Sequence, residues 1–215
     1  MTPVSVDIAQ VDRWIREFAR VVGENAQFLT DLDAAVGDAD HGINLDRGMT
    51  AVVAALDETT QPDLAALTKK VGMTLVSSVG GASGPLYGTF FLRLATSLGA
   101  VDTVAPADFA KALRAGVEGV VQRGRAEAND KTMFDALAPA LDALDAGLAS
   151  GSDLASALGS AREAAERGRD ATEAMVARKG RASYLGQRSV GHVDPGATSA
   201  AMLIAAAATT FGADG

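Results

Sequence analysis

Ile8-Ala9-Gln10-Val11-Asp12-Arg13-Trp14-Ile15-Arg16-Glu17-Phe18-Ala19-Arg20-Val21-Val22 sets apolar side chains at positions 8, 11, 14, 15, 18 and 22. That three- and four-residue spacing is one face of an α-helix. The pattern extends to Phe28, so a single first helix is expected, delivering Asp33 at its end. No segment downstream alternates with the period of two that a half-buried strand needs, and the predicted class is all-α. A second helix is expected from about Asn44 to Leu56. Pro62-Asp63 and Pro106-Ala107 read as first-turn positions, where proline's missing amide costs nothing, opening helices three and five. Between them Gly80-Gly81-Ala82-Ser83-Gly84-Pro85 forms a tight loop into a fourth helix through Phe90, Phe91 and Leu94. The sixth helix begins near Thr132 and tolerates, or kinks at, Pro139. The seventh spans roughly Asp153 to Arg178, and the eighth opens at Asp194-Pro195 and runs to about Phe211. Eight helices with short connections predict an up-and-down antiparallel bundle, a single domain over 1–215.

Composition narrows the function. A chain of 215 residues, 48% hydrophobic, can bury one sizeable core. It contains no cysteine, which excludes a disulfide framework and a thiol nucleophile. A formal charge of −8 argues against nucleic acid or an anionic membrane as partner. From Met1 to Gln10 there is no basic region followed by an apolar run, and the greasy stretch from Ala200 to Phe211 is too short to cross a bilayer comfortably. The expected setting is the cytoplasm. Trp14, Phe18, Phe90 and Phe91 are assigned to the core, and Arg162, Arg167, Arg169, Arg178 and Lys179 to a solvated face.

Chemistry concentrates in three glycine-punctuated segments. Asp33 precedes Gly37-Asp38-Ala39-Asp40-His41-Gly42, which puts three carboxylates within eight residues. Carboxylate oxygens suit magnesium, calcium or manganese, although Asp and Gly also make ordinary solvated turns. On one continuous helix Asp33 and Asp38 would point about 140° apart, so a loop must bring them together. Gly37 and Gly42 permit such a loop. An EF-hand is excluded: counting from Asp38, glycine falls one position early and Met49 stands where a bidentate glutamate belongs. The loop Gly80 to Gly84 could cradle an anion at a helix N-terminus, or serve as a plain turn. It has no Walker A lysine and no dinucleotide fingerprint. In Gly191-His192-Val193-Asp194-Pro195-Gly196-Ala197-Thr198-Ser199, the Asp-Pro pair by itself is an N-cap followed by an N1 proline. These three segments and Asn129-Asp130-Lys131-Thr132-Met133 precede helices two, four, eight and six. In an up-and-down bundle every second connection lies at the same end, so the four loops would form one rim.

As a set these segments closely resemble DhaL, the nucleotide-binding L subunit family of dihydroxyacetone kinases. The resemblance covers essentially the whole chain. It implies an eight-helix antiparallel barrel that binds ADP or ATP at one end through two magnesium ions. Carried over residue by residue, it implies that Asp33, Asp38 and Asp40 ligate magnesium. His41, Gly42, Ile43 and Asn44, with Ala82 and Ser83, would contact phosphates or ribose. Gly124 and Met133 would frame the adenine, and Arg181, Asp194, Pro195 and Gly196 would complete the site. No catalytic residue is implied beyond these. Ala39 and Asn129 both stand where the family usually has glycine, which matters if those positions need a positive φ.

The implied reaction is phosphoryl transfer to dihydroxyacetone, or a similar short ketose, held on a DhaK-type subunit. A phosphohistidine protein of DhaM type would recharge the retained nucleotide; a homodimer is compatible with this picture. The alternatives are a subunit of an ATP-dependent ketose kinase, a nonenzymatic DhaL-like regulatory protein, and the nucleotide-binding part of a fatty acid kinase. The occurrence of the L portion without a fused K domain favours the phosphotransferase-linked form.

Overall fold

The computed structural model describes residues 5–212. The start of the amino-terminal segment and the outer limits of the 1–215 domain therefore lie outside the described residues. Nine α-helices follow in order among them: α1 (Ile8–Glu24), α2 (Ala26–Val36), α3 (His41–Glu58), α4 (Leu64–Ser78), α5 (Ser83–Leu98), α6 (Pro106–Gly124), α7 (Phe134–Ala149), α8 (Leu154–Ala171) and α9 (Pro195–Gly212). Two-residue strands β1 (Val6–Asp7) and β2 (Thr103–Val104) pair antiparallel near the starts of α1 and α6. Short 3-10 turns occupy Thr172–Ala174 and Arg181–Ser189.

Eight helices close a ring. Going round, α1 packs on α3, then α4, α5, α6, α7, α8 and α9 follow, and α9 returns to α1. The all-α barrel expected from the sequence is the observed architecture. α2 stands apart from the ring and lies across α3 and α9. The apolar stripe of α1 explains the closure: Val11, Trp14, Ile15, Phe18 and Val22 are all fully buried. Trp14 meets Phe91 tilted and Phe109 edge-on, each with ring centroids 5.9 Å apart, and its indole N–H donates to the Leu203 carbonyl at 3.0 Å, tying α1, α5, α6 and α9 together. Phe90 meets Phe91 edge-on at 5.1 Å. Several neighbouring helices approach through glycine: a side chain at Gly116 would run into Phe90, and one at Gly72 into Leu92.

Three sequence expectations are corrected. The single helix to Asp33 is broken at Asn25, whose backbone amide bonds both the Val21 and Val22 carbonyls at 3.1 Å while its side-chain amide also donates to Val21 at 2.8 Å, capping the end of α1. α2 therefore starts on a new axis, and Phe28 is half exposed instead of buried. Pro62 precedes the helix it was expected to open; Asp63 caps α4 by accepting from the Ala66 amide at 2.7 Å. The seventh predicted helix stops at Ala171, where the Thr172 hydroxyl turns back onto the Arg169 carbonyl at 2.5 Å. By contrast, α6 has Pro106 at its first turn, and α7 runs through Pro139.

Candidate functional site

At the end of the barrel where α3, α5, α7 and α9 begin lies a cavity of about 470 Å³. All four rim loops contribute to its lining, and α6 adds Val120, Arg123 and Gly124. The acidic side is built from α2 and the loop to α3. Asp33, in the last turn of α2, is buried and accepts from the Asp40 and His41 amides at 2.9 and 3.2 Å, so one carboxylate oxygen fixes the loop. Asp33, Asp38 and Asp40 thereby come together, with one carboxylate oxygen from each lying within 4.8 Å of the others. Such a set of hard oxygen donors fits a divalent cation. Asp38 also forms a 2.9 Å ion pair with Arg181, on the 3-10 segment that packs against α2.

Between the acidic loop and the glycine loop stands His41. Its Nδ1 lies 2.9 Å from the Ser83 hydroxyl and its Nε2 3.0 Å from Ser199, which is itself 2.7 Å from the Tyr87 hydroxyl. Burial pushes the imidazole pKa down, against the pull of Asp33 and Asp40, and pushes the Tyr87 phenol up. The chain from Ser83 to Tyr87 can therefore run on neutral groups and lock three helices around the cavity floor. Asp194 caps α9, accepting from the Ala197 amide at 2.7 Å. Burial raises its pKa to about 7, while that amide and Lys131 oppose the rise and Asp135 and Asp33 add to it. The opposite wall is apolar, formed by Leu86, Gly124 and Met133, with Met133 buried.

Of the site residues named from the sequence, the cavity lining includes Asp33, Asp38, Asp40, His41, Ala82, Ser83, Gly124, Met133, Arg181, Asp194, Pro195 and Gly196. Gly42, Ile43 and Asn44 are not among the lining residues. Gly42 is buried against α2, so closely that a side chain there would collide with the Ala26 carbonyl and with Thr30. Ile43 is more than half exposed, and Asn44 accepts from Arg47. Ala39 adopts φ 59° and Asn129 φ 68°, so both departures from glycine fall at left-handed positions.

The sequence profile of the DAK2 domain matches residues 35–209. This chain belongs to the DAK2 domain family. It is 43% identical to an Escherichia coli protein described as the ADP-binding subunit DhaL of PEP-dependent dihydroxyacetone kinase, over 91% of this chain and 93% of that one. A Listeria innocua DhaL subunit is 44% identical over 89% of this chain and 90% of its own length. Among solved structures, the dihydroxyacetone kinase of C. freundii with AMP-PNP and Mg2+ superposes with a TM-score of 0.73 at 28% identity. The alignment covers 96% of this chain, which spans only 35% of that longer kinase.

Several members of this DAK2 site carried no role in the sequence reading. Lys131, Tyr87, Ser199 and Asp135 are buried contributors whose partners lie far along the chain or inside a loop. Asp135 alone left a local signal. Thr132-Met133-Phe134-Asp135 has capping-box spacing, and the carboxylate accepts from the Thr132 and Asn129 amides at 2.8 and 2.5 Å.

Proposed function

We propose that this chain is the nucleotide-holding subunit of a dihydroxyacetone kinase. It binds ADP or ATP with two magnesium ions, and the terminal phosphoryl group of the triphosphate passes to dihydroxyacetone, or a similar short ketose, on a DhaK-type subunit, leaving ADP. The observation that carries this is the convergence of the three carboxylates on one side of a cavity whose other walls offer helix N-termini, an arginine and an apolar face. That combination suits a polyphosphate, its counter-ions and a flat ring. The names and bound ligands of the relatives support the same reading.

In this mechanism Asp33, Asp38 and Asp40 hold the metal. Magnesium supplies neutralisation of phosphate charge, without which an acidic rim would repel the nucleotide. Backbone amides of the Ala82-Ser83 turn at the start of α5, which lines the cavity, would offer their positive ends to the phosphates. Arg181, paired with Asp38 at 2.9 Å, would bring positive charge to the phosphates beside the metal ligands. Leu86, Gly124 and Met133 receive the adenine, and Asp194, Pro195 and Gly196 close the ribose side. His41, braced by Ser83 and Ser199, keeps the acidic loop against the phosphate turn. A docked K subunit brings the sugar hydroxyl in line and excludes water, the positioning on which phosphoryl transfer depends.

A cytoplasmic M-type phosphohistidine protein recharges the ADP, which remains bound as a coenzyme; self-association into a homodimer is compatible with a free rim. The test is reconstitution. Purified chain, a K subunit and a phosphorylated M protein should sustain turnover with ADP that stays bound below stoichiometric excess. Turnover on free ATP alone assigns the ATP-dependent mode instead, and nucleotide-independent partner binding without turnover assigns a regulatory role. Asp38→Ala and Asp40→Ala should abolish magnesium-dependent ADP binding in calorimetry; unchanged affinity in both would sink the metal assignment.

A further inference from the structure

Arg181 sits on a segment, residues 172–192, that crosses the cavity mouth with only short 3-10 turns to stiffen it. Its base is closed by an unusual side chain. Lys131 is 1% exposed, with φ 62°. Its Nζ lies 2.9 Å from the Thr172 carbonyl oxygen, 3.2 Å from Met175, 2.6 Å from Ser189 and 2.5 Å from His192. Two acceptors lie before Arg181 in the chain and two after it. All four are carbonyls, so the nitrogen must do all the donating; an ammonium has three N–H bonds to share among them, whereas a neutral amine would leave carbonyls buried and unpaired. Burial pulls the Lys131 pKa down, and Asp194 and Glu173 oppose that pull without cancelling it; the four carbonyl acceptors are what call for the ammonium. Secondary ties reinforce the base: the Gly191 amide donates to the Glu173 carbonyl at 2.8 Å, and the Arg178 amide to the Asp130 carbonyl at 3.0 Å.

We infer that Lys131 is a positioning residue for nucleotide binding, its buried ammonium clamping the two ends of loop 172–192 so that Arg181 is held over the Asp33, Asp38 and Asp40 cluster. What Arg181 does there rests on the nucleotide reading above; what Lys131 does rests on the loop alone. The side chain acts as an internal monovalent cation at a ring of carbonyls. Removing the charge leaves the Met175, Ser189 and His192 carbonyls without this donor and Thr172 with the Met175 amide alone, and the loop must open to find water.

The clamp is tested on the intact, ligand-free chain by hydrogen exchange. In Lys131→Met, peptides from 172–192 should exchange about tenfold faster or more, equivalent to losing one charge-assisted bond, while peptides from α1 and α4 keep their protection. Propylammonium added to Lys131→Ala should restore the slow exchange; unchanged protection, or a loss that propylammonium does not reverse, overturns the clamp. Should Lys131→Met not fold, Lys131→Ala purified in propylammonium and then dialysed carries the same comparison. The link to Arg181 is tested by a double-mutant cycle on magnesium-ADP affinity. Arg181→Ala should weaken binding about tenfold to a hundredfold in the native background and no further in Lys131→Met. Additive losses would mark Lys131 as merely structural and overturn the positioning role. If the native chain binds no magnesium-ADP, the nucleotide reading fails, and with it the role given to Arg181, a result distinct from the exchange outcome.

Discussion

Ala39 holds the turn between Asp38 and Asp40 in a left-handed conformation that costs an alanine roughly 1–2 kcal/mol. Glycine would relieve that strain and give back part of the gain through its freer unfolded chain. Ala39→Gly should therefore raise stability by about 1 kcal/mol or less in urea unfolding, and a loss of stability would show that the methyl group is used in packing. Asn129 tolerates the same region better, so Asn129→Gly should change less. Asp194 offers a pH test. Its folded pKa, about 7, stands above its ordinary value of 3.8, so between these values the native state holds a proton that the unfolded state has released. Its contribution to stability is full below about pH 4 and is lost as pH rises towards 7. Asp194→Asn keeps an N-cap oxygen without the charge. The difference in stability between the variant and the native chain should move in the variant's favour from pH 5 to pH 8, and a constant difference would show that Asp194 is not titrating there.

Gly42 fixes the relation between α2 and α3, the helices that carry opposite ends of the acidic loop. A methyl group there would meet the Ala26 carbonyl and sit 2.7 Å from the Thr30 hydroxyl, closer than packing allows. Gly42→Ala should cost about 1–3 kcal/mol by overpacking and weaken magnesium binding together with stability, because Asp33 moves with α2. Magnesium affinity untouched by a destabilised α2 would separate the two and contradict this coupling. Helix interiors were readable in the sequence, since Trp14, Phe18 and their neighbours repeat at the helical period. Helix ends were less so. Asn25 breaks a stretch whose apolar pattern runs straight through, and Thr172 ends α8 because its hydroxyl accepts from the Asp194 amide, a partner that periodicity cannot reveal.

The closed ring leaves one end as a cavity lined by carboxylates, and among the described residues no helix is long and apolar enough to cross a membrane. Ligand binding there should stabilise the whole barrel by mass action, about 2.7 kcal/mol at a hundredfold excess over Kd. Magnesium and ADP should be needed together for that shift in melting temperature; an equal shift with ADP and chelator would refute metal bridging. The sequence by itself determined the helical class, the order of the helices apart from the break between α1 and α2, and the four polar loops, because period, proline and glycine act within a few residues of where they stand. It also put three aspartates within eight residues, but an extended span of that length reaches roughly 25 Å, so their convergence rests on the loop that Asp33 holds through the Asp40 and His41 amides. Only the tertiary structure decided that α2 leaves the ring and that Ser199 and Tyr87 brace His41. The same holds for Lys131, which finds its four carbonyls between Thr172 and His192. Those bonds join residues dozens of positions apart, and their partners are chosen by where closure of the barrel leaves a buried donor facing a buried acceptor.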